Sequence, residues 1–286
     1  MSPSEASLRD RIKNLARTEG KSVNEVLKRL YLERFLTRLS RSAYANRFVF
    51  KGGNLLAYLL EIGRETKDLD FLLIQLAAEE PVLVAALRTI AEVEAGDGFQ
   101  LRYADIEPLA QAHMNHSGYR VTLDIRFKEG TLRDRIQVDL GVGDPVEPEK
   151  RVLRLLSYRE ESVFEPDVNL LVYPAETIYA EKLEAVVSKG GVNSRMKDFH
   201  DLLLMGRNPE LIQRDRLVAA IRATFRHRGT ELRVPIYFSA QDTERLQVHW
   251  GRHLRSLGAI ADSLGLPTQI DRAVQEINEV LLRKGV

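Results

Sequence analysis

The stretch FVFKGGNLLAYLLEIGRETKDLDF, residues 48–71, decides how this chain can fold. A short apolar run is broken by Gly52 and Gly53, a helical pattern follows, and a second strand-like run carries Asp68 and Asp70. Because side chains alternate between the two faces of a strand, both carboxylates lie on one face. Such a pair can bind Mg²⁺ ions that bridge the oxygens of a triphosphate. The alternative is a solvated acid pair at the entrance of a strand.

The composition of the chain is that of a folded globular protein. Its 286 residues are 44% hydrophobic and 29% charged, and the net charge of +1 excludes a uniform polycation. The absence of cysteine excludes disulfides, thiolate zinc sites and a cysteine nucleophile. The first residues lack a signal-peptide pattern, and no apolar run is long enough to span a membrane, so we expect a cytoplasmic protein without a membrane partner.

Periodicity along the chain predicts an α+β fold with mixed strands and helices. Residues 7–39 are predicted to form two helices, with Ser22 and Glu25 as a capping box for the second. Strand-like runs at 48–50, 69–74, 99–106, 119–127 and 135–140 predict a small mixed sheet. Prolines punctuate 144–174, which predicts a connecting region with a short strand or two, and the chain beyond 175 is mostly helical. We therefore expect two domains, residues 1–145 and 146–286. His113 and His116 are predicted to lie in a loop.

Two features strengthen the metal interpretation of Asp68 and Asp70. A Gly-Gly turn that opens a helix lets phosphate approach the backbone, and the helix dipole favours an anion there, although such a turn is often no more than a turn. In the run 135–140, Gln137 and Asp139 share one face. A neighbouring strand can bring Asp139 to the acid pair as a third metal ligand.

Two residues of the helical region are further candidates. On a helical wheel for residues 175–189, Lys182 lies within the apolar arc, whereas Glu181 and Glu184 lie outside it and are predicted to be solvated. Lys182 either binds the triphosphate or covers apolar surface with its stem. Asp198 either stabilises the first turn of a helix or acts as a general base.

The basic residues concentrate in residues 1–47 and 214–228. Basic helices more often present a solvated face than a ligand site. If the two groups line one surface, they can position a polyanion through phosphate contacts.

Four segments occur in an order that resembles the AbiEii/AbiGii toxin family of nucleotidyltransferases, which the MenT toxins also represent. They are KGGN from Lys51, RETKDLDF from Arg64, IQVDLGVGD from Ile136 and EKLEA with GGVNSRMKDFHDL from Glu181. The resemblance covers residues 8–205 and implies a polymerase β-like nucleotidyltransferase core with a mixed sheet, N-terminal helices and a helical C-terminal domain.

The resemblance also implies roles for individual residues. Asp68, Asp70, Lys182 and Asp198 would be catalytic, with Asp68 and Asp70 binding Mg²⁺. The residues that would bind the nucleotide are Gly52, Gly53, Asn54, Arg64, Thr66 and Lys182. Asn54 departs from the family pattern, which has Ser or Thr after the glycines, but its amide can still donate to phosphate. Asp139 as a metal ligand depends on strand geometry more than on the motif.

The activity that the resemblance implies is that of a toxin in a toxin–antitoxin system of the abortive-infection type, and so of phage defence. Such an enzyme transfers a nucleotide from an NTP to an RNA acceptor, the 3′ end of tRNA, and a cognate antitoxin accompanies it. Two alternatives remain open from the sequence. One is a nucleotidyltransferase that modifies a small molecule or a protein, and the other is a non-catalytic interaction protein.

Overall fold

The structure of the protein, a computed structural model, describes residues 4–109, 118–143 and 145–286. His113 and His116 lie outside the described residues. Two compact units are present: the first holds the described residues within Met1–Tyr58, Glu65–Asp144 and Pro148–Val172, and the second those within Leu59–Arg64, Pro145–Glu147 and Tyr173–Val286. The division into domains 1–145 and 146–286 stays a prediction. No helix in the described part of the chain has the length and apolar character needed to cross a membrane.

The first unit contains a mixed sheet with helices. Its helices are α1 (Glu5–Glu19), α2 (Val23–Arg41), α3 (Gly52–Leu59) and α4 (Glu80–Glu92). Its strands are β1 (Phe48–Lys51), β2 (Asp68–Leu73), β3 (Phe99–Leu109), β4 (Gly118–Phe127), β5 (Arg133–Gly141), β6 (Glu149–Arg154), β7 (Ser157–Tyr158), β8 (Glu161–Ser162) and β9 (Asp167–Val172). Seven strands form one sheet in the order β3-β4-β5-β2-β1-β9-β6. The predicted mixed sheet is confirmed, because β1 pairs with β9 and β2 with β5 in parallel, while the other pairs are antiparallel.

The region predicted as a connection with a strand or two contains four strands. Two of them, β6 and β9, belong to the seven-stranded sheet, and β9 lies beside β1 with Val49 opposite Leu171. The two partners of this pairing are more than a hundred residues apart in the chain. Local periodicity can therefore indicate a strand at 167–172 but cannot assign it to a position between β1 and β6.

The second N-terminal helix begins where the sequence predicts, and the two helices extend two residues beyond the predicted range of 7–39 at each end. Gly20 adopts the left-handed conformation after α1, with φ of 64°, and Ser22 accepts a hydrogen bond from the backbone of Glu25 to begin α2. The Glu25 side chain accepts in return from the backbone of Ser22, so the predicted capping box is confirmed.

The apolar face of the sheet fixes where the polar face must point. Phe71 on β2 is buried and packs against the rings of Phe35, Phe48 and Phe50, with centroid distances of 6.0, 5.7 and 5.3 Å. Aromatic pairs of this kind contribute about 0.5–1.5 kcal/mol each beyond their buried area. Because Phe71 points into this cluster, the strand period sends Asp70 to the opposite face of the sheet.

Most of the basic residues near the N-terminus are engaged within the first unit. Arg34 and Arg38 on α2 are buried; Arg38 donates to both oxygens of buried Asp97 at 2.7 and 2.9 Å, and Arg34 to Glu165 at 2.5 Å. Further ion pairs with acids of the same unit hold Arg9, Lys21, Lys28, Arg29 and Arg41. These ion pairs engage part of the charge of the two helices within the first unit. The idea that the N-terminal helices and residues 214–228 line one surface for a polyanion stays a prediction.

The second unit is helical, as predicted. Its helices are α5 (Ala175–Lys189), α6 (Met196–Arg207), α7 (Arg214–Arg228), α8 (Ala240–Leu257), α9 (Ala259–Ser263) and α10 (Ile270–Lys284), with a 3₁₀ turn at Gly190–Val192. Glu184 on α5 is buried rather than solvated, since Arg228 and Thr230 donate to its carboxylate at 2.7 and 2.6 Å. The prediction failed because α7 covers the side of α5 that the helical wheel leaves open.

We expect Asp97→Asn to lower the free energy of unfolding by about 3 kcal/mol, because it leaves buried Arg38 without its anion. Burial raises the pKa of Asp97, but Arg38 outweighs this and holds the pKa below the ordinary value of 3.8. The carboxylate therefore stabilises the fold above the unfolded pKa, and the gap between wild type and variant should narrow as the pH falls below about 4. Urea unfolding at several pH values measures both effects, with Asp10→Asn, at an exposed position of α1, as the control. Equal loss in both variants would contradict the prediction.

Candidate active site

The acid pair of the sequence lies on β2, in the middle of the sheet. Asp70 stands opposite Lys51 of antiparallel β1 and opposite Asp139 of parallel β5, and Asp68 stands opposite Gln137. The register therefore places Asp139 directly beside Asp70 in the sheet. All three carboxylates lie on the polar face of the sheet, since the residues that alternate with them along β2 and β5 are buried.

The position of the Asp70 carboxylate requires a glycine at residue 52. Gly52 is the first residue of α3 and has φ of 75°, and a Cβ atom built on it would lie 2.0 Å from Oδ2 of Asp70. No side chain larger than hydrogen fits between the backbone and this carboxylate. The carboxylate also lies at a helix N-terminus, where the dipole stabilises a negative charge. The first glycine of the turn thus makes room for an acid of the protein itself.

Two predicted nucleotide-binding residues contact each other. The amide of Asn54, in the first turn of α3, donates to the hydroxyl of Thr66 at 3.0 Å, and Asn54 is buried. This bond joins the start of α3 to the segment that enters β2. Gly53 lies between Gly52 and Asn54 in the same turn.

Arg120 on β4 is a residue of this face that the sequence interpretation missed. It stands opposite Asp139 and donates to both carboxylate oxygens at 2.8 Å. Hydrogen bonding to Asp139 raises the pKa of the Arg120 guanidinium above its ordinary range, and the charge of Asp68 adds to this. Strand alternation puts Arg120 on the wet face of β4, but only the register of β4 against β5 pairs it with Asp139.

The donor set on β2 fits a magnesium ion. Mg²⁺ is commonly held by one or two carboxylates together with substrate phosphates, and Asp68 and Asp70 provide two on one face. Within the described residues, no group of three His, Cys, Asp or Glu side chains is arranged to hold a metal. Asp139 is instead occupied by Arg120, so its role as third ligand stays a prediction, as do the roles of Asp68 and Asp70.

In the second unit, a buried carboxylate gathers two cations. Asp201 on α6 accepts from Arg64 at 2.6 and 3.2 Å and lies 2.7 Å from Nζ of Lys182. Lys182 also donates to Asp198 at 3.3 Å, and Nε of Arg195 lies 2.7 Å from Asp198. The predicted residues Arg64, Lys182 and Asp198 thus form one cluster, and Asp201, which the sequence interpretation missed, joins Arg64 to Lys182. Its signal was the spacing of three from Asp198, which puts both acids on one helix face.

The charges of this cluster stabilise one another out of water. Burial lowers the pKa of Lys182, but the carboxylates of Asp201 and Asp198 outweigh it, so that the pKa is raised overall. For Asp201 burial raises the pKa, and the charges of Lys182 and Arg64 reverse the shift, leaving it below its ordinary value. Three cations and two carboxylates leave one positive charge in excess.

A pair of histidines lies beside this cluster. His200 precedes Asp201 on α6 and is buried. Its Nδ1 lies 2.9 Å from Nε2 of His253 on α8. Burial lowers the pKa of both rings to about 4. Both histidines are therefore neutral in the folded protein near neutral pH.

We expect Gly52→Ala to destabilise the protein by about 1–3 kcal/mol more than Gly20→Ala, because only its Cβ collides with Asp70. Gly20 has a similar φ of 64° and no atom within 4 Å of the position that a Cβ would take, so it reports the cost of the backbone conformation alone. Chemical unfolding of both variants measures the difference. Equal losses of stability in the two variants would contradict the prediction, because they would show that the Asp70 side chain moves aside at no measurable cost.

We expect the stability of the protein to fall as the pH drops from about 6.5 towards 4. In this window the unfolded chain protonates His200 and His253 while the folded protein, with both pKa values near 4, does not. The slope is about 1.4 kcal/mol per pH unit for each histidine. His253→Gln should reduce the slope measured by urea unfolding, whereas His249→Gln on the same helix should not. An unchanged slope in His253→Gln would refute this.

Two solved structures from Helicobacter pylori are similar to this chain at low sequence identity. JHP933 superposes with a TM-score of 0.52 at 14% identity over 92% of each chain. A second protein has a TM-score of 0.43 at 14% identity over 92% of this chain and 95% of its own, a likeness too weak to carry weight. The likeness to JHP933 concerns the fold alone. No curated protein matches the sequence.

A family model matches residues 34–276, which is most of the chain and includes both the β2 acids and the Lys182 cluster. Its description is nucleotidyl transferase AbiEii toxin, type IV toxin–antitoxin system. The resemblance inferred from the four sequence segments is thereby confirmed, and with it the assignment of the chain as an enzyme. The protein belongs to the AbiEii family of nucleotidyltransferase toxins.

Proposed function

We propose that this toxin uses Mg²⁺ to transfer a nucleotide from an NTP to the 3′-hydroxyl of a tRNA and so blocks translation. The observation that carries the proposal is the acid pair Asp68 and Asp70, held on β2 with Asp70 against the first residue of α3, in a chain of the AbiEii family. We further propose that the enzyme acts in the cytoplasm, where a cognate antitoxin counteracts it and growth arrest limits phage.

The reaction forms one bond and breaks another at the α-phosphorus. The acceptor O3′ bonds to the α-phosphorus, the bond from that phosphorus to the bridging oxygen of the β-phosphate breaks, and pyrophosphate leaves with the electron pair. The proton of the hydroxyl passes to a base. Bound Mg²⁺, held by Asp68 and Asp70, would neutralise charge on the phosphate oxygens. Little covalent chemistry is left to the protein, so positioning is its main task.

In the first unit, the start of α3 is suited to hold the triphosphate. Gly52 and Gly53 leave the backbone of the first turn accessible, and the dipole of α3 favours an anion. Asn54 already donates to Thr66, so the amide that departs from the family pattern positions this turn through Thr66. We propose that these four residues shape the nucleotide-binding turn together.

In the second unit, Lys182 has capacity left for a phosphate oxygen. An ammonium has three donors, and Asp201 and Asp198 engage two of them. The excess positive charge of the cluster favours an anion at the third. Two nitrogens of the Arg64 guanidinium donate to Asp201, which favours a supporting role for Arg64. Asp198 lies between Lys182 and Arg195, and its work as a catalytic acid or base stays a prediction.

The alternative acceptors, a small molecule or a protein, gain weight from one observation. The N-terminal basic residues, which favoured nucleic acid at the level of sequence, are mostly paired with acids of the same unit. The experiment must therefore offer more than one acceptor class.

We expect labelled nucleotide from at least one NTP to appear on tRNA when the protein, Mg²⁺ and total tRNA are combined. Asp70→Asn should reduce the rate at least about 100-fold, because the variant removes a charge needed in the transition state. Asp105→Asn, a carboxylate on the same sheet face away from β2, should retain the rate. Thermal unfolding of both variants checks that the fold is intact.

Parallel incubations with aminoglycosides and with total cell protein test the other acceptors. Label on tRNA that Asp70→Asn abolishes supports the proposal. Label found only on a small molecule or a protein would show that the acceptor is of that class and not tRNA. No transfer from any NTP would overturn the proposed reaction.

A further inference from the structure

The polar face of β3, β4, β5 and β2 divides into two regions of different charge. At one end lie the acids Asp68, Asp70 and Asp139, with Arg120. At the other end of the same face lie four exposed arginines, which we call the arginine face: Arg102, Arg126, Arg133 and Arg135. Asp139 and Arg133 lie six positions apart on β5, a distance of about 20 Å along an extended strand.

The arginine face carries charge that its neighbours do not neutralise. Asp124 stands opposite both Arg102 and Arg135, and Asp105 lies further along β3 on the same face. Asp124 accepts from Arg135 at 3.2 Å, while both side chains remain largely exposed, at 55% and 75%. Arg126 donates to the neutral amide of Gln100. Arg102 and Arg133 have no side-chain partner within the part of the chain that the structure describes.

The register of β4 against β5 adds an electrostatic repulsion within the arginine face. Arg126 on β4 stands directly opposite Arg133 on β5. Like charges in directly opposite positions of an antiparallel pair destabilise the sheet. An anion bound across the pair would remove this repulsion, and the exposed ion pair at Arg135 is weak enough to exchange its partner.

We infer that the arginine face binds the sugar–phosphate backbone of the acceptor RNA upstream of its 3′ end. The inference rests on the proposed function, which puts the reacting hydroxyl at the acid end of the same sheet face. A stacked strand advances about 3.4 Å per nucleotide, so the span of about 20 Å corresponds to about six nucleotides. Guanidinium groups form bidentate contacts with phosphate oxygens, and such contacts position the strand without reading its sequence.

The test is RNA binding without catalysis. Fluorescein-labelled tRNA whose 3′ end is blocked by a 3′-deoxynucleotide is titrated with the full-length protein, without NTP, and fluorescence anisotropy is recorded at several salt concentrations. The variant is Arg102→Gln with Arg133→Gln, which removes the two unpartnered arginines. The matched control is Arg222→Gln with Arg226→Gln, two exposed arginines on α7.

We expect the face variant to raise the Kd about tenfold and to reduce the slope of log K against log salt by about 1.5–2, because two phosphate contacts are lost. The control should bind as wild type does. Thermal unfolding of the face variant should be unchanged or slightly raised, since relief of repulsion offsets any lost contact. A stability loss without a change in salt slope would show that these arginines serve the fold only.

Four outcomes would overturn the inference. They are no RNA binding by wild type at low salt, wild-type binding by the face variant, an equal loss in the α7 control, and displacement by polyglutamate as effective as by unlabelled RNA. The last would indicate a surface for acidic proteins.

A transfer assay with unblocked tRNA separates this inference from the proposed function. Transfer by wild type with unchanged binding in the face variant refutes the surface alone. Arginine-dependent binding with no transfer from any NTP refutes the reaction alone and leaves the surface in place.

Discussion

The approach of the Asp70 carboxylate to the backbone at Gly52 constrains the first unit more than any other contact. It needs β1 beside β2 in the observed register, since Lys51 stands opposite Asp70 and the chain turns into α3 at the next residue. It needs a residue without Cβ at that turn. It also needs Phe71 in the aromatic cluster, because that side chain fixes which face Asp70 occupies. The sheet order, the glycine and the core thus all serve the position of one carboxylate.

The second unit also depends on the position of one carboxylate. Asp201 is buried, and an isolated buried carboxylate would be strongly disfavoured. Arg64 and Lys182 make it tolerable, and in return Asp201 holds two flexible cations in fixed positions. Removing one partner of a buried ion pair lowers the stability by more than the intact pair contributes to it, because the other charge stays buried without a counter-ion. The three side chains are therefore best understood as one group, in which Lys182 contacts both Asp201 and Asp198.

The sequence predicted what local rules govern and missed what depends on register and packing. The period of two put Asp68 and Asp70 on one face, and the capping box at Ser22 follows from four residues. Arg120 was missed because its contact with Asp139 depends on how two strands align. Glu184 was judged solvated because a helical wheel takes no account of a second helix on its far side. The place of β9 beside β1 comes from a pairing across most of the first unit, which no local pattern contains.

A net charge of +1 conceals three different states of the basic residues. Arg34 and Arg38 are buried in ion pairs, so their charge contributes nothing to the field outside. Lys182 and Arg64 act at short range within a cluster. Only cations such as Arg133, exposed and without a carboxylate partner in the described residues, contribute an attraction that a polyanion can feel. Charge counted along the sequence gave weight to the N-terminal helices, whereas charge counted after pairing gives weight also to the exposed arginines of the sheet face that carries the acids of β2. Local repulsion between opposed arginines breaks the consistency that folding alone favours, and such exceptions concentrate where a protein binds something.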